Sequence, residues 1–237
     1  MIDTHCHLLH ALDDGPGTLR DSVVLARELV GVGVRRVVCT PHYSRRFRTD
    51  RVTAAERVRE LEVHLARAEV PLSLSLAAEI SPAFAAAEPI SELSPRSIGG
   101  FLVVELEPTT PAAVLGTVVE RLENRDLQPI FAHPERCSSV REQPRLLAEA
   151  RARGALVQVV APSLAGNWGS AVTGAAWNLL DSGLVDLLAS DSHRPGRGAR
   201  TLELAAEAVA LRYGEDTLVD LTERGPTRIV GALAEDA

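Results

Sequence analysis

The sequence predicts an α/β fold of the parallel barrel type, and three observations carry that reading. Apolar strand-like runs alternate with helix-patterned segments along the chain. A length of 237 residues suits one large domain, a size that single α/β barrels commonly reach. The first and last strand-like runs both close on pairs of metal-ligand residue types, His5 and His7 in Ile2-Asp3-Thr4-His5-Cys6-His7, and Asp191 and His193 in Ser190-Asp191-Ser192-His193. Residues i and i+2 of a strand share a face, so each pair aims two ligand groups the same way.

Seven runs read as strands, at 2–6, 36–40, 72–80, 101–106, 129–132, 156–160 and 185–190. Helix patterns lie between them at 18–32, 50–69, 111–125, 139–153 and 171–183, with two or three more after residue 198. Gly31 and Gly33 close the first helix, Pro111 stands where a first helical turn begins, and Gly154 and Gly183 end two others. Short connections between alternating strands and helices imply parallel strands with right-handed crossovers. No internal repeat, low-complexity tract or composition shift divides the chain, so 1–237 reads as a single domain.

Composition narrows the function. With 46% hydrophobic residues but only 3% aromatic, the core is built mainly from Val, Leu, Ala and Ile. No lysine occurs, so any phosphate is met by arginine, a metal or backbone N–H groups, and lysine Schiff-base chemistry is excluded. A formal charge of -7 argues against nucleic-acid binding, which relies on clustered cations. Cys6, Cys39 and Cys137 are too few and too scattered for a disulfide framework. The N-terminus lacks a basic segment followed by an apolar run, and no stretch approaches membrane-spanning length, so the expectation is a cytoplasmic protein without membrane insertion.

The candidate ligands fall at strand ends. His5 and His7 end the first strand, His42 follows the second, Glu79 ends the third and Glu105 the fourth; His133 follows the fifth, and Asp191 with His193 ends the seventh. Barrel enzymes assemble their sites at the C-terminal ends of strands, so this recurrence is what a metal site requires. The sixth strand, ending Val159-Val160-Ala161, contributes nothing comparable. Asp13 and Asp14 precede Gly15-Pro16 and also suit a turn or a helix cap. Glu105 and Glu107 share one strand face, so periodicity leaves the choice between them open. His10 and His64 lie outside the pattern, and His64 sits in an Arg/Glu-rich helix whose face is solvated.

Together these motifs resemble the PHP (polymerase and histidinol phosphatase) superfamily. They are Ile2-Asp3-Thr4-His5-Cys6-His7, Asp13-Asp14-Gly15-Pro16, Thr40-Pro41-His42, Ala78-Glu79-Ile80, Val104-Glu105, Ala132-His133-Pro134-Glu135-Arg136 and Ala189-Ser190-Asp191-Ser192-His193. The Asp-Asp-Gly-Pro turn and the His-x-Glu-Arg motif are similar to its bacterial tyrosine-phosphatase branch of capsular and exopolysaccharide synthesis. The resemblance implies a distorted seven-stranded (β/α)7 TIM-like barrel holding up to three divalent metals, manganese above all, with iron or zinc as alternatives. It implies that His5, His7, Glu79 and Asp191 surround one metal, that Glu79, Glu105 and His133 hold a second, and that Asp14, His42 and His193 hold a third. It thereby favours Glu105 over Glu107. One departure stands out: the family's Asn-containing segment after the sixth strand reads Gln158-Val159-Val160-Ala161-Pro162 here.

The implied reaction is phosphomonoester hydrolysis in which a metal-bound hydroxide attacks the phosphate. Arg136 is the candidate phosphate clamp, because its planar fork can bind two phosphate oxygens. Arg45 and Arg46, after His42, are candidates for a secondary anion-binding rim. By resemblance, the partner is a phosphotyrosine protein, an autophosphorylated bacterial tyrosine kinase. The alternatives are a histidinol-phosphate-type small-molecule phosphatase and a noncatalytic metal-binding regulator. A cysteine phosphatase is a further competitor, since Cys39-Thr40-Pro41-His42-Tyr43-Ser44-Arg45 fits Cys-x5-Arg. It fails on chemistry, because Pro41 removes a backbone N–H and no glycine eases the phosphate loop.

Overall fold

The computed structural model describes residues 1–231. The chain begins with β1 (Ile2–Cys6), α1 (Leu19–Gly31), β2 (Arg36–Cys39), β3 (His42–Tyr43) and α2 (Arg51–Arg67). There follow β4 (Ser73–Leu76), β5 (Glu79–Ile80), α3 (Pro82–Ala87), α4 (Ile90–Leu93), β6 (Phe101–Glu105), α5 (Ala112–Glu123) and β7 (Gln128–Ala132). The rest is α6 (Ser138–Glu142), α7 (Arg145–Arg151), β8 (Leu156–Val160), α8 (Ala161–Leu164), α9 (Ser170–Asp181), β9 (Leu187–Ala189), α10 (Gly198–Tyr213), α11 (Glu215–Val219) and α12 (Gly225–Val230).

Every strand ladder is parallel, as the alternation requires. The ladders form two sheets, β1-β2-β4 and β3-β5-β6-β7-β8-β9, where the sequence suggests one run of seven strands. The reason is local. The strands expected at 36–40 and 72–80 are each interrupted, at Thr40-Pro41 and at Ala77-Ala78, and the interruptions lie side by side. Pro41 has no N–H to give a ladder, and β1 is bulged, with its register to β2 shifting between Asp3 and Cys6. Backbone bonds still cross the gap, from Ala77 N to Cys39 O at 2.9 Å and from Glu79 N to Pro41 O at 3.2 Å. On the other side, Asp191 N donates to His5 O at 3.0 Å and His7 N to Ser192 O at 2.9 Å. These bonds bring the chain after β9 against β1.

Alternation along β6 and β7 sends side chains to two apolar clusters. Leu102, Val104 and Phe131 face the larger one under the helices, whereas Val103, Ile130 and Ala132 meet Leu187 and Ile229 in a smaller one. The helices bury Leu25 and Leu29 of α1, Leu61 and Leu65 of α2, and Leu115, Val118, Val119 and Leu122 of α5. Each such side chain contributes about 1.5–3 kcal/mol on leaving water. Thr18 caps α1 by accepting from Asp21 N, and Asp50 caps α2 by accepting from Thr53 N. The helix expected at 139–153 is divided into α6 and α7, because Pro144 cannot extend the helix before it. Among the described residues no helix is long and apolar enough to cross a membrane.

Candidate metal centre

The parallel strands deliver the nine sequence-selected residues to one place, with Glu79 at its middle. Glu79 Oε2 lies 3.3 Å from His5 Nε2, 3.2 Å from His7 Nε2 and 3.0 Å from His42 Nδ1. Its other oxygen, Oε1, lies 2.9 Å from His133 Nε2. Asp191 Oδ1 stands 3.6 Å from His5 Nε2 and 3.7 Å from His7 Nε2. Asp14 Oδ1 lies 3.5 Å from His42 Nε2 and 3.4 Å from His193 Nε2, and Glu105 Oε2 is 4.0 Å from His42 Nδ1.

These donors fall into four overlapping groups able to hold cations: His5, His7 and Asp191; His5, Glu79 and His133; His42, Glu79 and Glu105; and His7, Asp14, His42 and His193. His7 joins the last group, a membership the motifs do not suggest. Glu107 is exposed beyond the end of β6 and outside every group. His10 and His64 stand apart; His10 is buried and pairs with Glu60 at 3.7 Å. The cluster is deepest at His5, Glu79 and His133 and opens toward solvent at Asp14 and His193, whose side chains are 38% and 29% exposed.

Three histidines are oriented by partners the motifs do not reveal. His5 Nδ1 lies 2.9 Å from Gln158 Oε1, His7 Nδ1 lies 2.8 Å from Asp13 Oδ2, and His193 Nδ1 lies 2.9 Å from the Asp191 carbonyl oxygen. An acceptor at Nδ1 fixes the proton there and turns the Nε2 lone pair inward, as metal-binding histidines require. Gln158 is itself held by donating to Thr4 Oγ1 at 2.8 Å. Its sequence signal is a polar residue inside the apolar strand Leu156-Val157-Gln158-Val159-Val160, a strand that looks chemically silent. Asp13 does more than shape a turn. Oδ2 also accepts from His42 N at 2.9 Å, and Oδ1 accepts from Gly15 N at 2.9 Å. A Cβ at Gly15 would sit 2.6 Å from His7 O, so only glycine fits this close approach.

The backbone is strained at two of these positions. His133 and Asp191 hold φ of 38° and 49°, left-handed values that non-glycine residues adopt at a cost of order 1 kcal/mol. Asp3 supports the second of them, with Oδ1 accepting from Ser190 N at 3.0 Å and from His5 N at 3.3 Å.

Burial and mutual charge shape the protonation of the cluster. Burial works against ionising Glu79, yet His5, His133 and His7 hold its carboxyl well below the usual range. Burial also opposes a charged His5, but Glu79 and Asp191 outweigh it and push the imidazole up to about 9. Glu105 is driven the other way: burial, then the charges of Glu79 and Glu107, push it up to about 8. Burial raises the thiols of Cys6 and Cys39, which are fully enclosed, so neither supplies the thiolate that a cysteine phosphatase uses.

Arg136 reaches the rim of the cluster, where Nη1 lies 3.6 Å from Asp191 Oδ2 and the guanidinium covers the Trp168 ring at 4.3 Å from its centroid. Arg46 lies over Phe47, which stacks on His42 with ring centroids 5.7 Å apart. Arg45 is exposed. Arg48, from the same loop, turns away to Glu88 at 3.1 Å.

A parallel α/β scaffold with clustered imidazoles and carboxylates at its strand ends defines a metallohydrolase-like architecture. The chain belongs to the capsular polysaccharide synthesis family CpsB/CapC, whose pattern it matches over residues 1–231. It is 29% identical over 227 residues to the tyrosine-protein phosphatase YwqE of Bacillus subtilis, covering 94% of this chain and 89% of that one. It is 25% identical over 241 residues to the tyrosine-protein phosphatase CpsB of Streptococcus pneumoniae, covering 97% and 98%. A solved structure from work on YwqE and CpsB, described as metal-dependent tyrosine phosphatases, superposes with a TM-score of 0.83 at 27% identity, covering 97% of this chain and 94% of that one. A β-aspartyl dipeptidase from Fervidobacterium islandicum shares the fold alone, with a TM-score of 0.61 at 14% identity, covering 96% of this chain and 72% of that one.

Proposed function

We propose that this protein is a metal-dependent phosphomonoester hydrolase that removes phosphate from tyrosine in a bacterial protein, in the setting of capsule or exopolysaccharide synthesis. The observation that carries the reading is Glu79, one buried carboxylate in contact with four imidazoles from the ends of three strands, β1, β3 and β7. Family membership and the tyrosine phosphatases it resembles supply the substrate class. By the same reasoning its partner is an autophosphorylated tyrosine kinase, its compartment the cytoplasm, and its two sheets with the contacts between them one distorted seven-stranded barrel in a single domain.

The donor set fits divalent cations. Five imidazoles and four carboxylates without a thiolate suit manganese, iron or zinc, with manganese our assignment, and the Nδ1 partners of His5, His7 and His193 leave Nε2 free to ligate. His5, His7, Glu79 and Asp191 would hold one ion, Glu79, Glu105 and His133 a second, and Asp14, His42 and His193 a third. Divalent ions bound there would supply Lewis-acid charge to phosphoryl oxygens and acidify coordinated water from a pKa of 15.7 toward roughly 7. The protein's own contribution is positioning. Arg136 sits where its planar fork can take two phosphate oxygens beside Asp191. Gln158 and Asp13 hold the imidazoles in one tautomer, and Arg45 and Arg46 form an outer anionic-ligand rim. A phenolate leaves readily, so the reaction places little demand on a general acid.

The test is a phosphatase assay of purified protein with parallel metal analysis, comparing a phosphotyrosine peptide with histidinol phosphate. The expected result is peptide turnover that EDTA abolishes and iodoacetamide spares. Turnover of histidinol phosphate alone, or inhibition by iodoacetamide and not by EDTA, would overturn the reading.

A further inference from the structure

We propose that Trp168 recognises the aromatic ring of the leaving group, so that the site selects aryl over alkyl phosphate monoesters. The proposal rests on the phosphatase reading and on Arg136 meeting the phosphate. Among the described residues the exposed large apolar side chains are Val52, Val63, Trp168, Leu204 and Leu211, and Trp168 is the one aromatic, at 49% exposure. The chain has only four Phe, two Trp and two Tyr, so leaving one of them in water at the rim of the cluster is a conspicuous use of a scarce residue.

Its geometry suits the role. The guanidinium of Arg136 rests over the indole with Cζ 4.3 Å from the centroid, while Nη1 lies 3.6 Å from Asp191 Oδ2. Guanidinium donors lie in the plane of the group, whereas the indole occupies its face. Trp168 covers a face of the guanidinium and none of its in-plane donors, so on this proposal the ester group of a phosphate held by those donors lies against the exposed part of the indole. A phenyl ring there can stack or meet the indole edge to face, but an alkyl chain offers no such partner.

The residue is also held in place. It lies in the short turn between α8 and α9, where Asn167 N donates to Pro162 O at 3.0 Å and Gly169 N to Gly166 O at 3.2 Å. Gly166 and Gly169 on either side take φ of 86° and 83°, which a side chain would resist. Phe47, the other aromatic bordering the cluster, is already stacked with His42 and carries Arg46 over its ring.

The experiment is calorimetric binding of phenylphosphonate and of inorganic phosphate to the manganese-loaded full chain, comparing wild type with Trp168→Ala and Trp168→Phe. We expect Trp168→Ala to weaken phenylphosphonate about 5- to 10-fold and phosphate less than twofold, with Trp168→Phe recovering most of the loss. Equal weakening of both ligands would make Trp168 a support for Arg136 only and overturn the proposal, as would no change in either or no binding of phenylphosphonate to the wild type. Wild-type turnover of p-nitrophenyl phosphate, measured alongside, tests the phosphatase reading separately.

Discussion

His7 Nδ1 donates to Asp13 Oδ2 across 2.8 Å, and the same oxygen accepts the backbone N–H of His42 at 2.9 Å. One carboxylate thus orients two candidate ligands carried by different strands, and it belongs to a turn that Gly15 closes behind His7. Outer partners of this kind commonly govern 10- to 100-fold in metal affinity.

Replacing Asp13 by Ala is accordingly expected to lower manganese affinity by about 10- to 100-fold without removing a ligand. Asp13→Asn, which retains one acceptor oxygen, falls between Ala and wild type. Metal titration by calorimetry reads the effect directly. Wild-type affinity in Asp13→Ala would show that the turn, and not the carboxylate, positions His7.

His133 and Asp191 are held in left-handed backbone conformations at the centre of the cluster, an expense of strain that packing alone does not explain. His133→Ala and Asp191→Ala are each expected to lower kcat/KM on a phosphotyrosine peptide by at least about 1,000-fold, a loss of some 4 kcal/mol of transition-state stabilisation. Far-ultraviolet circular dichroism should stay unchanged, since each substitution relieves a crowded set of ionisable groups and opens no apolar cavity. Retained activity in either variant would move the chemistry elsewhere.

The strand-end positions of His5, His7, Glu79, Glu105, His133 and Asp191 are legible in the sequence because each one punctuates an apolar run, and a parallel fold gathers such ends at one face. What surrounds them is not legible. Gln158 meets His5 across 153 residues of chain, and nothing within its own strand announces that contact. The division into two sheets depends on Thr40-Pro41 lying beside Ala77-Ala78, which is a matter of register between strands and not of pattern within either. Glu107 shares a strand parity with Glu105, but the strand ends at Glu105, so the alternation that made them equivalent no longer applies. Trp168 carries no motif at all; its place beside Arg136 comes from the turn between α8 and α9.

Protonation of the cluster makes metal stabilisation depend on pH in a definite direction. In metal-free protein His5 is pushed up to about 9 from an ordinary 6.5, so the stability it contributes is full below 6.5 and lost as pH rises through 9. Glu105, pushed up to about 8 from an ordinary 4.5, acts with the same sign: its folded form favours the proton, and that contribution fades between those values. Metal ligation requires both groups deprotonated, so affinity rises over the same window. The thermal shift produced by saturating manganese should therefore widen steadily from pH 6.5 to 8.5. Differential scanning fluorimetry measures it, and a shift that narrows or stays flat would contradict the assigned ligands.

Asp186 provides the contrast, because its network is structural and lies at the opposite ends of the strands. Its carboxylate takes a two-pronged contact from Arg151, at 2.9 Å from Nε and 2.7 Å from Nη2, and Oδ2 also accepts from Val157 N at 2.9 Å at the start of β8. Asp186→Ala removes all three bonds and leaves a partly buried guanidinium and a strand N–H without their acceptor, at a cost of about 1–3 kcal/mol. Because β8 carries Gln158 one residue further on, the alternative outcome is a disturbed His5. Equilibrium unfolding in urea together with kcat/KM separates the two. We expect a lower unfolding midpoint with kcat/KM within twofold of wild type, whereas a matching loss of activity would mean that the beginning of β8 transmits to the cluster through Gln158.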